Sequence, residues 1–283
     1  MKVLVANIED VFREAAARWT LIAYFCLSSI FIIIFAAAVN LDVVNGALAG
    51  AKLFGKELEV GGQFSIEKLV TGFESGFASL LYVLSIFMAI FATAHLVPRM
   101  QDKGTIDLYL SRPVSRTKLI GTRYLAGLLL AASNVFYLIT AVWLIVGWKT
   151  HVLHGKIFFA GGLMIFMISA LLAFSFLVGV ITSSTGVSIM MTYGLAIFSI
   201  PLMAHQKMEA AFSSDWSAYL LRGLYLVLPK VTEIGMAVFA FVLGQQAPEE
   251  AQKAMTLQPF VTTALFGIAC FALAAVAFKR KEF

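Results

Sequence analysis

The chain has 283 residues, 60% of them hydrophobic and only 13% charged, with a net charge of +5. No soluble core of this length needs so much apolar side chain, so the excess must face lipid and a soluble globular domain is excluded. A basic surplus would point to nucleic acid or acidic lipid in a soluble protein, but here the placement of the charges matters more than their sum.

In the first 19 residues Leu4, Ile8, Val11, Phe12, Ala15 and Trp19 recur at helical spacing, with Asp10, Arg13, Glu14 and Arg18 on the other face. This predicts an amphipathic helix lying in the membrane surface. A spanning helix needs roughly 20 mostly apolar residues, and the sequence predicts six, at about 20–39, 76–97, 124–148, 157–181, 187–205 and 260–278. The apolar run of the first is too long for a cleavable signal peptide, so it is expected to be retained. The polar run Thr182 to Gly186 divides the fourth from the fifth and makes them a hairpin. Two longer connections, 40–75 and about 207–259, fall on one side. The second holds two apolar segments, Tyr219 to Leu228 and Ile234 to Leu243, on either side of Pro229. Each is too short to span; they read either as re-entrant or interfacial half-helices or as a small external packing domain. The fold class expected is thus an all-α integral membrane protein with six transmembrane helices, an N-terminal interfacial helix and extracytoplasmic half-helices before the last span.

The connection 98–123 carries Arg99, Lys103, Arg112, Arg116, Lys118 and Arg123, against Lys149 and Lys156 in the next one. The positive-inside rule makes it cytoplasmic, and six spans then put both termini inside, 12 basic residues in and 9 out.

Candidate chemistry is sparse. Gly50-Ala-Lys-Leu-Phe-Gly55-Lys56 matches most of a phosphate loop, but Glu57 stands where Ser or Thr must hold magnesium, and a carboxylate repels phosphate. His151 and His154 supply two metal ligands without a third. His95 and His205 are singletons, read as interface histidines. Met164, Met167, Met190, Met191, Met203 and Met208 cluster in the fourth and fifth spans or near them without lining up, and read as packing residues rather than a copper path. Cys26 and Cys270 read as small buried hydrophobes. Ion-driven carriers place charges within the bilayer, and these spans hold almost none. No catalytic residue, cofactor site, metal site or nucleic-acid partner is expected in this chain.

The most informative stretch is Arg99 to Lys118. Gly104 breaks the preceding structure, Thr105 is placed to cap a short helix from Ile106 to Leu110 with Asp107 in its first turn, and Arg112-Pro113 stops it. Leu108 and Leu110 leave apolar side chains on a helix otherwise in water, a docking surface for a partner. Ser115 is placed to cap the third span. The plainer alternative is a basic connector that sets topology and binds anionic lipid.

The run Gly104-Thr-Ile-Asp-Leu-Tyr-Leu-Ser-Arg-Pro-Val-Ser-Arg116 resembles the signature after the second span in membrane subunits of type-two (ABC-2) ABC exporters. The layout of nearly the whole chain agrees with that family. Some of its members serve copper-enzyme maturation in nitrous oxide reduction, and others export drugs, peptides or lipids. The resemblance implies a permease subunit in a prokaryotic cytoplasmic (inner) membrane, paired as a homodimer and driven by a separate ABC ATPase that binds the ATP and Mg. It leaves room for a periplasmic or extracellular accessory protein. By the same resemblance Gly104, Thr105, Asp107, Leu108, Ser111, Arg112, Pro113 and Arg116 contact the ATPase. Gln101 and Asp102 depart from the glutamate-rich approach of relatives. Gly72, Gly76, Gly161 and Gly162 are candidates for close helix contact in a dimer. A membrane scaffold that moves no substrate is the alternative function.

Overall fold

The computed structural model describes residues 20–44, 47–53, 56–57, 66–102, 104, 106, 115–150, 155–205 and 215–281, with Glu9 and Arg13 before them. Glu9 and Arg13 are helical and joined by a 2.6 Å ion pair one turn apart; the rest of the proposed interfacial helix lies outside the described residues.

Among the described residues five helices are long and apolar enough to cross a membrane, or up to six with one bent pair, which makes this a multi-pass membrane protein. In chain order the elements are α1 (Thr20–Ala38), a sheet of β1 (Val39–Val44), β2 (Ala47–Leu53) and β3 (Lys56–Glu57), then α2 (Ile66–Thr93) and the short α3 (Leu96–Met100). After them come α4 (Arg116–Thr150), α5 (Lys156–Thr182), α6 (Thr185–Leu202), α7 (Asp215–Val227), α8 (Val231–Leu243), α9 (Glu249–Lys253) and α10 (Leu257–Arg280). The helices of that length and composition are α2 continued by α3, α4, α5, α6 and α10; the bent pair is α7 and α8, which meet at 60° around Pro229. At about 1.5 Å per residue the 19 residues of α1 reach about 28 Å, the short limit of a hydrocarbon core.

Three boundaries differ from the sequence reading. Val39–Val44, Ala47–Leu53 and Lys56–Glu57 pair as a small antiparallel sheet in the order β1-β2-β3, within a chain that is otherwise helical. In that sheet Asp42 pairs with Gly50 and Lys52 with Glu57, so the described residues of the phosphate-loop look-alike are strand residues, and Phe54 and Gly55 lie outside the described residues. The second predicted span begins ten residues early, at Ile66, and breaks at Ala94 and His95. The third starts at Arg116 instead of Tyr124, which leaves Arg123 buried within α4.

α5 is the central helix, in contact with α2, α4, α6, α8 and α10. Lipid tails are as apolar as these side chains, so close fit and polar ties must hold the bundle. At Gly267 a Cβ would lie 3.1 Å from the Ala170 Cα, so α10 touches the backbone of α5. α1 is fastened to α4 by Ser28 Oγ, which donates to Asn134 Oδ1 (2.9 Å), and by Lys149 Nζ, which donates to the Ala36 carbonyl (2.7 Å) at the open end of α1. α8 is not a surface feature: Ile234, Val238 and Val242 belong to the main core.

Candidate functional site

The connection from α3 to α4 is rooted in the core before it leaves it. Leu96, Val97, Met100 and Ile106 pack with Leu119 and Ile120 of α4, Phe176 and Val180 of α5, and Phe278 of α10. Between them Gly104 adopts φ +86°, with nothing within 4 Å of where a Cβ would be, so the expected break is a left-handed turn that suits glycine. Ile106 is 3% exposed and its N–H donates to the Asp102 carbonyl at 3.2 Å. Ser115 caps α4 as expected, its Oγ accepting from the Lys118 N–H at 3.4 Å. Thr105, Asp107, Leu108, Ser111, Arg112 and Pro113 lie outside the described residues.

Above this apolar root sits a polar junction. Lys281 Nζ donates to Gln101 Oε1 (2.6 Å), to Ser183 Oγ (2.6 Å) and to the Val180 carbonyl (2.7 Å), three acceptors for three protons. Gln101 Nε2 donates to the Gly179 carbonyl (2.9 Å), and Ser183 Oγ to Gln101 Oε1 (3.0 Å). Burial draws the Lys281 ammonium below its ordinary pKa, while the three oxygens hold the charged form. Arg116, the first residue of α4, donates to the carbonyls of Lys281 (2.7 Å) and Lys279 (3.3 Å). The end of α3, the α5–α6 turn, the end of α10 and the start of α4 are thereby tied at one point.

Local chemistry explains the convergence. Ser183 ends α5 at φ 52° with its N–H on the Gly179 carbonyl, and Ser184 starts α6 by accepting from the Val187 N–H. A Cβ on Gly179 would lie 3.2 Å from Pro98 Cδ and 3.1 Å from Ser188 Oγ, so glycine lets α3 and α6 pack closely on α5 there. Sequence reasoning missed Gln101, Gly179 and Ser183 as a unit and gave Lys281 to topology alone. Each is an ordinary polar or small residue at a helix end, and their separation in the chain leaves no local signal.

Other candidates fare differently. His95 is 6% exposed, a buried histidine and not an interface one, because the break after α2 folds it inward. His205 is half-buried with its ring 3.9 Å from that of Tyr225. His151, His154 and Met208 lie outside the described residues. Met164 and Met167 are core residues, whereas Met190 and Met191 face outward from α6. Among the described residues no three His, Cys, Asp or Glu side chains gather. Cys270 is buried, but Cys26 is exposed on the outer face of α1. Gly161 is used within the chain, where a Cβ would run into Ile139 of α4, while Gly72, Gly76 and Gly162 have nothing within 4 Å.

A family described as "Protein of unknown function (DUF2705)" matches residues 53–283, and the chain belongs to that family. No curated protein matches it.

Proposed function

We propose that this DUF2705 chain is the membrane-spanning permease subunit of an ATP-driven ABC exporter. It works as a homodimer in a prokaryotic cytoplasmic membrane and takes its energy from a separate ATPase seated on the connection 98–123. In this reading α1, α2, α4, α5, α6 and α10 are the six crossings, α7 and α8 enter from the outer side and return, and both termini are cytoplasmic. The six basic residues of 98–123 support that orientation.

One observation carries the reading. The connection is anchored at both ends, through Gln101 before Gly104 and Arg116 after it, to a junction shared by α5, α6 and α10. A displacement of the short helix predicted at Ile106 to Leu110 would therefore be transmitted to several crossings together. A connector that only set topology would need charge and not such an anchor. ATP and Mg belong to the partner in this reading, since Glu57 stands where a phosphate loop needs Ser or Thr to hold magnesium.

The test is to purify the tagged chain in mild detergent, identify stoichiometric partners by mass spectrometry and assay ATP hydrolysis. A co-purifying nucleotide-binding subunit whose hydrolysis is uncoupled or lost with Arg112→Glu or Leu108→Asp supports the permease. A complex with no ATPase favours a scaffold that moves no substrate. An ATPase complex indifferent to both substitutions removes those residues from the contact.

A further inference from the structure

A second feature lies away from the junction, where α2, α6 and α8 enclose a cleft of about 660 Å³. That is within the roughly 300–1,000 Å³ of ordinary ligand pockets. Its walls carry no charged residue. The two tyrosines in them have their hydroxyls turned to backbone: Tyr82 donates to the Val231 carbonyl (2.5 Å) and Tyr193 to the Phe87 carbonyl (2.6 Å). Ser79 Oγ likewise donates to the Ser75 carbonyl (3.1 Å), and apart from the Thr232 hydroxyl the lining side chains that remain offer ring and aliphatic surface. Phe87 and Tyr193 stack at 4.9 Å to form one wall. On the opposite wall Gly235 lets the Tyr82 ring lie directly against α8, since a Cβ there would be 2.9 Å from it.

The cleft opens to the outside of the bundle. Val83, Phe87, Ile197 and Ile200 line it and are each more than half exposed. In a multi-pass membrane protein, exposed apolar side chains on crossing helices face hydrocarbon, so what meets this opening is lipid tail. Depth points the same way. Tyr193 to Ile200 lie 9 to 16 residues along α6 from Ser184, about 14–24 Å from the junction, from the middle of a core about 30 Å thick into its far half.

We propose that this cleft is a lipid site that holds one acyl chain of a phospholipid from the leaflet remote from the Gln101–Lys281 junction, with the headgroup left outside. The site rests on the multi-pass membrane reading and not on the exporter reading.

The experiment uses the full chain in nanodiscs of phosphatidylcholine bearing a photoactivatable diazirine in one acyl chain, followed by irradiation and peptide mass spectrometry. The expected result is saturable labelling concentrated on the cleft faces of α2, α6 and α8, above that of Leu265, Ile268 and Leu273 on the exposed face of α10. Ala196→Trp, which fills the cleft from α6, removes the excess and leaves α10 labelling unchanged; Leu273→Trp, equally bulky on an open face, does not remove it. Equal labelling of all exposed faces, or an excess that survives Ala196→Trp, overturns the proposal with the membrane reading intact. Unlabelled α10 overturns the membrane reading itself. An unlabelled cleft together with disulfide-linked dimers of Ile197→Cys, in a chain with Cys26 and Cys270 replaced by alanine, overturns it in favour of a second copy as occupant.

Discussion

The Lys281 ammonium lies 2.6 Å from the Gln101 side-chain carbonyl although 180 residues separate them. Contacts of such separation give no local stability during folding and are formed only when α3, α5 and α10 are already assembled. They therefore report the finished bundle, and they end beside Gly104, in the connection from α3 to α4.

If the junction is a unit, its members must be coupled. Gln101→Ala and Lys281→Met are each expected to destabilise the detergent-solubilised chain by about 1–2 kcal/mol, the usual loss for a hydrogen-bonded group with partners left unsatisfied. The double variant should lose less than the sum, with an interaction term of about 0.5–3 kcal/mol. Unfolding by SDS titration measures all three. Strict additivity would mean that Lys281 is held by the Val180 and Ser183 oxygens alone.

Gly104 separates conformation from packing. A Cβ there meets nothing, so Gly104→Ala should cost only the left-handed backbone strain, about 1–2 kcal/mol, and Gly104→Asn less than Gly104→Ala. The same unfolding titration reads this. A loss well above that range would reveal a neighbour contributed by the segment 107–114 or by a partner.

The crossing helices were legible because an apolar run of the required length has few other uses, and the breaks at Thr182 to Gly186 and at Pro229 carry strong punctuation. The sheet at 39–57 was less so, though Asn45-Gly46 stands between β1 and β2 in sequence and is a strong short-range hairpin signal. The inward turn of His95 and the junction at Gln101 depend on tertiary contacts, to which the pattern of neighbouring residues is blind. The cleft was invisible for a related reason: its tyrosines read as ordinary aromatics until the hydroxyl partners are known.

Helix approach can be tested by one pair of substitutions. Gly267→Val pushes against the Ala170 backbone, which has no rotamer to yield, and should destabilise by about 1–3 kcal/mol. Gly162→Val enters open space and should stay within about 0.5 kcal/mol of the parent. Similar losses at both sites would contradict the close α5–α10 crossing. A Gly162→Val chain of parental stability that no longer purifies as a dimer would place that face of α5 between two copies.

Orientation has a direct readout. Lys118 is exposed at the start of α4 and Glu250 is exposed on α9, at opposite ends of the proposed bundle. In a chain with Cys26 and Cys270 replaced by alanine, Glu250→Cys should react with a membrane-impermeant maleimide added to intact cells. Lys118→Cys should react only after permeabilisation. The pair is decisive because the crossings between 118 and 250 are α4, α5 and α6, an odd number, if α7 and α8 return to the side they entered. If that bent pair spans instead, the number is even and both cysteines react under the same condition. Reaction at Lys118→Cys alone in intact cells would invert the protein and put the connection 98–123 where no ATPase could reach it.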